Sequence, residues 1–401
     1  MIPSITKRFT HPGRGIACLL LSICFAGISG CGQFFAKSTS TGSSGSSGSG
    51  GSTTGDYLYV ANGNTSLNTI SGFALSSGLL ANLSGSPYSP GVTPYALAIN
   101  PANTLLYVTD PLSGIYVYSI ASNGALTLLN GGAVANVGAE SIAIDPSGNW
   151  LLAMQDQASG TAPIVSVFGI NSSTGALTTQ GNSITLDTGS AGQLAFVPST
   201  TATTTYLAYA TLGTGGIDGL SFNTSTGDLT LLSVHQNSKL AGSYADNGIM
   251  ANPAGTYLFV SETGTNGVRT FSINTNGTLS ELSTSPLANT GSGVGAILVD
   301  ATGSFLYVAN SGANPGTISA FTISSAGALT AVAGSPFTTG LAPSSLVEDN
   351  TKGYLAVACE GGTPDMQVFA INATTGALTS SATATTGSVS PAGALSVVAT
   401  H

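Results

Sequence analysis

Ser304-Phe305-Leu306-Tyr307-Val308-Ala309-Asn310 is a short apolar run that follows Gly303 and closes on an amide. The same phrase stands at Tyr57-Leu58-Tyr59-Val60-Ala61-Asn62, Leu105-Leu106-Tyr107-Val108-Thr109-Asp110 and Tyr257-Leu258-Phe259-Val260-Ser261-Glu262. Looser copies are Trp150-Leu151-Leu152-Ala153, Tyr206-Leu207-Ala208-Tyr209 and Tyr354-Leu355-Ala356-Val357. Aligned on Leu58, Leu106, Leu152, Leu207, Leu258, Leu306 and Leu355, the copies are 48, 46, 55, 51, 48 and 49 residues apart. A period of this size is the mark of a repeat architecture.

Each unit reads as four strands. In the second unit, Ala96-Leu97-Ala98-Ile99 is followed by the turn Asn100-Pro101-Ala102-Asn103, then the Leu105 run, then Ile115 to Ile120, then Ala125-Leu126-Thr127-Leu128. The first turn recurs as Asp145-Pro146-Ser147-Gly148, Asn252-Pro253-Ala254-Gly255 and Asp300-Ala301-Thr302-Gly303. Asp or Asn caps such a turn, Pro presets φ, and Gly takes the left-handed residue. The second turn is Gly-Ala-Leu-Thr at Gly124, Gly175, Gly327 and Gly376, with variants at Gly78, Gly227 and Gly277. No stretch carries an amphipathic helical pattern. Four-stranded antiparallel units at this period predict an all-β fold, a seven-bladed β-propeller. The first unit lacks its first strand. Ala394-Leu395-Ser396-Val397-Val398 is a matching run at the far end, so the C-terminal strand is expected to close the ring and remove two exposed edges.

The strand phrase, the Asp-Pro-x-Gly turn and the elements Gly85-Ser86-Pro87-Tyr88 and Gly334-Ser335-Pro336-Phe337 together resemble the lactonase family of seven-bladed propellers. That family includes 6-phosphogluconolactonase and muconate-lactonising cycloisomerase, and it overlaps the YVTN-repeat propellers. The resemblance runs from about Asp56 to His401. It implies lactone hydrolysis or isomerisation, with a His just before an inner-strand run and Arg residues on neighbouring blades. Here the equivalent entries hold Tyr95, Glu140 and Asn247, and no inner-strand entry carries His.

The start of the chain reads separately. Lys7, Arg8 and Arg14 precede an apolar segment from Ile16 to Ile28, too short for a comfortable span. Ile28-Ser29-Gly30-Cys31 resembles the bacterial lipobox, which implies lipidation at Cys31. Ser38 to Gly55 is nearly pure Ser, Thr and Gly, a flexible tether. The expected organisation is a signal peptide over 1–30, a lipidated Cys and tether over 31–55, and the propeller over 56–401. The expected location is the bacterial cell envelope, on its periplasmic or outer-membrane face, with membrane contact through the anchor alone. Beyond the leader and Cys31 only Cys359 remains, so the propeller has no internal disulfide. Cys359 is expected to be a buried structural thiol.

Charge narrows the partners. Removing the leader leaves four Lys and Arg against 16 Asp and Glu. Nucleic acid is excluded, because phosphate neutralisation needs clustered cations. A small-molecule ligand or an envelope protein is the expected partner. No spacing for a metal, nucleotide or other cofactor is present, and none is expected.

Topology points to one face. The start of an inner strand and the end of the second strand lie at the same mouth of the central channel. That rim takes Tyr95, Glu140 and Asn247 from the inner strands, and Asp110, Asp156, Glu262 and Asn310 from the second strands. Cations are scarce: Lys239, Arg269 and Lys352, with His235 and His401 as the imidazoles. His235, Lys239, Tyr244 and Asp246 share one loop at this face. Lactone opening needs an activated water and an oxyanion partner. Glu140 or Asp156 is the candidate base, and Arg269 or Lys239 the candidate electrostatic partner. Two functions fit: a module that binds a ligand or protein through this face without catalysis, or a lactone hydrolase or isomerase. Convergence of Glu140, Asp156 and Arg269 on one pocket would separate them.

Overall fold

The computed structural model describes residues 56–63, 68–157, 161–199, 204–233, 235–237, 245–287, 291–386 and 396–401. Among these, every element is a strand, and the strands form seven antiparallel sheets. Six sheets have four strands, and the sixth blade adds a short fifth, Phe337–Thr338. The inner strands of blades 2 to 7 are Leu97–Ile99, Ser141–Ile144, Leu194–Phe196, Asp246–Ala251, Val294–Val299 and Pro343–Glu348.

Blade 1 takes its inner strand from the C-terminus, as the sequence predicts. Val397–Ala399 pairs antiparallel with Tyr57–Asn62. The Ala61 amide donates to the Ser396 carbonyl at 2.8 Å, and the Tyr57 amide to the Thr400 hydroxyl at 2.9 Å. The first and last described strands thus share one sheet, and the inward edge of Tyr57–Asn62 is covered.

The second strands are apolar on both faces because each blade is packed between two others. Side chains alternate along a strand. Tyr59 and Ala61 therefore join a core with Leu97, Ile99, Leu106 and Val108 of blade 2. Leu58 and Val60 join one with Val347, Ala356 and Ala358 of blade 7. Burying each such large side chain contributes roughly 1.5–3 kcal/mol.

The repeated phrases have a joint purpose. The Tyr59 hydroxyl donates to the carbonyl of Gly124, in the Gly-Ala-Leu-Thr turn of the next blade, at 2.7 Å. Tyr107 reaches Gly175 and Tyr209 reaches Gly277 in the same way. The glycine is required twice over. At Gly376 φ is +72°, and a Cβ would stand 2.3 Å from the Phe305 ring. The Asp-Pro turns are capped as expected: Asp145 Oδ1 accepts the amides of Asn149 and Trp150.

The third and fourth copies correct the alignment. In the third, Ile144 pairs with Leu151 as Ile99 pairs with Leu106, so Leu151, not Leu152, is the counterpart of Leu58. In the fourth the shift runs the other way. Tyr209, not the residue after the aligned Leu207 (Ala208), makes the inter-blade bond, so Ala208 is the counterpart of Leu58. Position 210 pairs with Asp218 as Val60 pairs with Ser71. The apolar run in this copy is one residue longer than its relatives, and only the partner blade shows which Tyr is the anchor.

Candidate functional site

The inner strands enclose a central cavity of about 100 Å³. Ile144, Leu194, Met250, Leu298, Val347 and Val398 are among its walls. The acids picked out by sequence are not; they stand around the mouth, where inner strands begin.

At that mouth the Glu140 amide donates to the Met154 carbonyl at 2.9 Å, and the Tyr95 amide to the Thr109 carbonyl at 2.8 Å. Each is the first residue paired at the entry of its blade. Burial, then the nearby Asp156 charge, raises the Glu140 carboxyl above its ordinary range. The Tyr95 hydroxyl is raised by burial and then by Glu140, Glu360 and Asp156. These four side chains therefore share one electrostatic neighbourhood across blades 2, 3 and 7. Asp156 is exposed, and its Oδ1 accepts the Ala191 amide at 2.6 Å. Glu360 escaped the sequence reading. Its signal was its place directly after Cys359, which ends the seventh copy.

Arg269 does not join them. Its Nη1 donates to Asp246 Oδ2 at 3.0 Å and to the Asn237 carbonyl at 3.0 Å, and its Nη2 to Glu281 Oε2 at 3.2 Å. The guanidinium also lies over the Phe271 ring, 4.8 Å from its centroid. Arg269 is 2% exposed and Asp246 wholly buried. Burial pushes the Asp246 carboxyl up to about 7 despite the guanidinium beside it. Arg269, the candidate electrostatic partner at the mouth, is thus held in a buried ion pair instead.

Most other rim candidates are committed to neighbouring strand and loop groups. Asp110 Oδ2 accepts the Thr93 amide and the Ser113 hydroxyl, and its Oδ1 accepts the Leu112 amide. The Asn310 amide donates to the hydroxyls of Thr317 and Ser319, as Asn62 does to Thr69 and Ser71. Glu262 is buried and takes the Thr265 hydroxyl at 3.0 Å. The Asn247 carbonyl accepts the Thr211 hydroxyl at 2.5 Å, which joins blade 5 to blade 4. Lys239, Tyr244, Cys31 and the tether lie outside the described residues.

His235 stands apart from the Glu140 group. Its Nδ1 lies 2.7 Å from Asp218 Oδ1 and 3.0 Å from Asp187 Oδ2. No sequence spacing predicted this cluster. Cys359 is 1% exposed, as expected, and burial pushes its thiol up to about 11. A reactive cysteine needs a lowered pKa, so Cys359 is structural.

Glu140 and Asp156 are two carboxylates in unlike environments, an arrangement suited to proton transfer. Among the described residues no cation stands there as an oxyanion partner, because Arg269 is committed to Asp246 and Glu281. Lys352 and His401 belong to the opposite face, in the turn after Asp349 and beside Asn103.

The model of the lactonase seven-bladed β-propeller family matches residues 91–391, and the chain belongs to that family. Its fold is shared with solved structures of low identity. One is a Bacteroides fragilis protein described as 6-phosphogluconolactonase-like, with 18% identity and a TM-score of 0.68 over 89% of this chain and 100% of that one. Another is the periplasmic gluconolactonase of Pseudomonas aeruginosa, with 15% identity and a TM-score of 0.64 over 87% and 99%. A Lactobacillus plantarum protein has 19% identity and a TM-score of 0.66 over 86% and 99%. A comparison with curated protein sequences gives no match.

Proposed function

We propose that this propeller binds a small uncharged or cationic ligand over its acidic mouth, without turning over a phosphorylated lactone. The observation that carries this reading is the commitment of Arg269 to Asp246 and Glu281. A phosphorylated substrate needs cationic ligands, and here Glu140, Asp156 and Glu360 would repel it. A neutral polyhydroxylated ring meets carboxylate acceptors and the Tyr95 hydroxyl instead.

The second reading is hydrolysis of a neutral lactone with Glu140 as the base, and the raised Glu140 carboxyl favours it. The two readings part on one experiment. Purified protein is titrated with glucono-1,5-lactone and its 6-phosphate, and both binding and ring opening are followed. Binding of the neutral lactone, weakened by Glu140→Gln and without enzymic ring opening, is the expected result. Ring opening that Glu140→Gln abolishes would establish the hydrolase. Preferred binding of the phosphate ester would sink both.

The protein is proposed to work as a lipid-anchored envelope protein. Asp56, where the tether ends, stands just before the second strand of blade 1, Tyr57–Asn62, at the face opposite the acidic mouth. An anchor at Cys31 would therefore join the propeller at that opposite face through a flexible tether. Labelled fatty acid should enter the wild type and not Cys31→Ala; equal labelling would remove the anchor from the proposal.

A further inference from the structure

Asp187, Asp218 and His235 come from three separate segments. Asp187 follows the outer strand of blade 3, Leu177–Thr185. Asp218 is the second residue of the third strand of blade 4, Ile217–Asn223. His235 follows the outer strand of the same blade, Asp228–Leu231. One donor atom from each lies within 4.8 Å of the others.

Two carboxylates meeting across a blade boundary repel each other unless a cation sits between them. What marks this place is the imidazole nitrogen set against both. Nδ1 is 2.7 Å from Asp218 Oδ1 and 3.0 Å from Asp187 Oδ2. It can carry one proton, which cannot point at both oxygens at once. Bonds of about 2.0–2.2 Å from a metal to nitrogen and oxygen put neighbouring ligand atoms about 3 Å apart when they meet at right angles. The 2.7 and 3.0 Å spacings fit that octahedral edge, with the third pair within 4.8 Å, and a tetrahedral ion would open them to about 3.4 Å. A divalent ion would also balance the two carboxylates with the imidazole neutral.

The donors are held in place. Asp218 is 2% exposed, and its Oδ2 accepts the Asp187 amide at 2.7 Å. That bond fixes the carboxylate with Oδ1 turned to His235, the kind of outer support that ligating carboxylates have. The Gln236 amide and carbonyl both pair with Ile217, which pins the residue after His235 to the strand of Asp218. Asp187 is exposed and leaves a path for an ion from solvent.

We propose that Asp187, Asp218 and His235 form a binding site for one divalent transition ion, zinc or manganese. Imidazole with carboxylate suits these ions, whereas calcium takes six to eight oxygens, and this set offers far fewer. The ion would tie blade 3 to blade 4. It would also steady the segment from Asp187 to Ala191, whose last amide holds Asp156 at the mouth. The site does not depend on what the mouth binds.

The test is calorimetric titration of the chelator-treated full chain with manganese, zinc and calcium chlorides. Asp187→Asn and His235→Ala are run alongside, each with its thermal unfolding. One manganese or zinc ion should bind, calcium should not, and each variant should lose at least about tenfold in affinity. Added ion should raise the melting temperature of the wild type and not of the variants. Asp187→Asn keeps the backbone amide that supports Asp218, so it carries the test should His235→Ala fail to fold. No ion bound by the wild type, or binding indifferent to Asp187→Asn, would overturn the proposal.

Discussion

The Tyr307 hydroxyl donates to the carbonyl of Gly376 at 3.1 Å, across the boundary between the sixth and seventh blades. Its partners in the ring are Tyr59 with Gly124, Tyr107 with Gly175 and Tyr209 with Gly277. One bond joins the strand phrase of one unit to the turn phrase of the next. Both phrases recur because each needs the other on its neighbour. Tyr307→Phe removes the donor and leaves a buried carbonyl, which should cost about 1–3 kcal/mol. Denaturant unfolding measures it, and an unchanged midpoint would show that the bond contributes nothing.

Gly376→Ala should cost more than Tyr307→Phe. The new Cβ faces both the positive φ and the Phe305 ring, so strain adds to overlap. Phe305→Leu in the same chain should recover part of the loss by clearing the ring, while the φ strain stays. No recovery in the double variant would mean that the backbone conformation alone sets the cost.

Arg269→Ala should destabilise the fold by about 3–5 kcal/mol, because it strands the buried Asp246 carboxylate. Exposed ion pairs contribute far less. Equilibrium unfolding of Arg269→Ala against the wild type measures the loss. A loss under about 1 kcal/mol for Arg269→Ala would contradict its burial.

Stability should fall as pH rises from about 4.5 to 8. Burial pushes the Glu348 carboxyl from its ordinary 4.5 up to about 8, and burial with the Asp349 charge takes Asp56 to about 8. A raised carboxyl binds its proton more tightly in the folded protein than in the unfolded one. Its contribution is complete below the unfolded value and is lost as pH climbs through the folded one. Glu348→Gln can still accept the Ala301 amide through its own amide oxygen, and that amide does not titrate. Melting temperatures between pH 4 and 9 should slope downward in the wild type and less steeply in Glu348→Gln. Parallel slopes would place the titration elsewhere.

Removing residues 396–401 should lower the melting temperature markedly or cause aggregation. The deletion takes Val397 out of the core it shares with Leu58 and Val347, a loss of roughly 1.5–3 kcal/mol. It also leaves the Tyr57–Asn62 edge unpaired. An unaltered unfolding curve would mean that the ring closes without this strand.

The sequence by itself determined the architecture. Seven copies of one strand phrase and seven of one turn declare the blades, and a first unit short of a strand declares how the ring shuts. These are local signals: side-chain alternation, a capped turn, a glycine at positive φ. Each can be read within a dozen residues, and the period does the rest. The strand entries Tyr95 and Glu140 followed from the same regularity, since every blade presents the same strand ends to the same face, whereas Asp156 stands one residue past the strand end Gln155 that the register matches to Asp110.

Only the tertiary structure decided which charges meet. Arg269 is separated from Asp246 by 23 residues and from Glu281 by 12, and nothing in the repeat says that it turns toward them and away from Glu140. Asp187 and Asp218 belong to different blades, and His235 to a loop beyond both. The period places backbones and leaves side-chain partners open. Pairing between charges depends on which loops fold over a blade boundary and how far water is excluded there. A buried guanidinium must take the nearest carboxylates, because an unpaired charge in that position costs more than the pair.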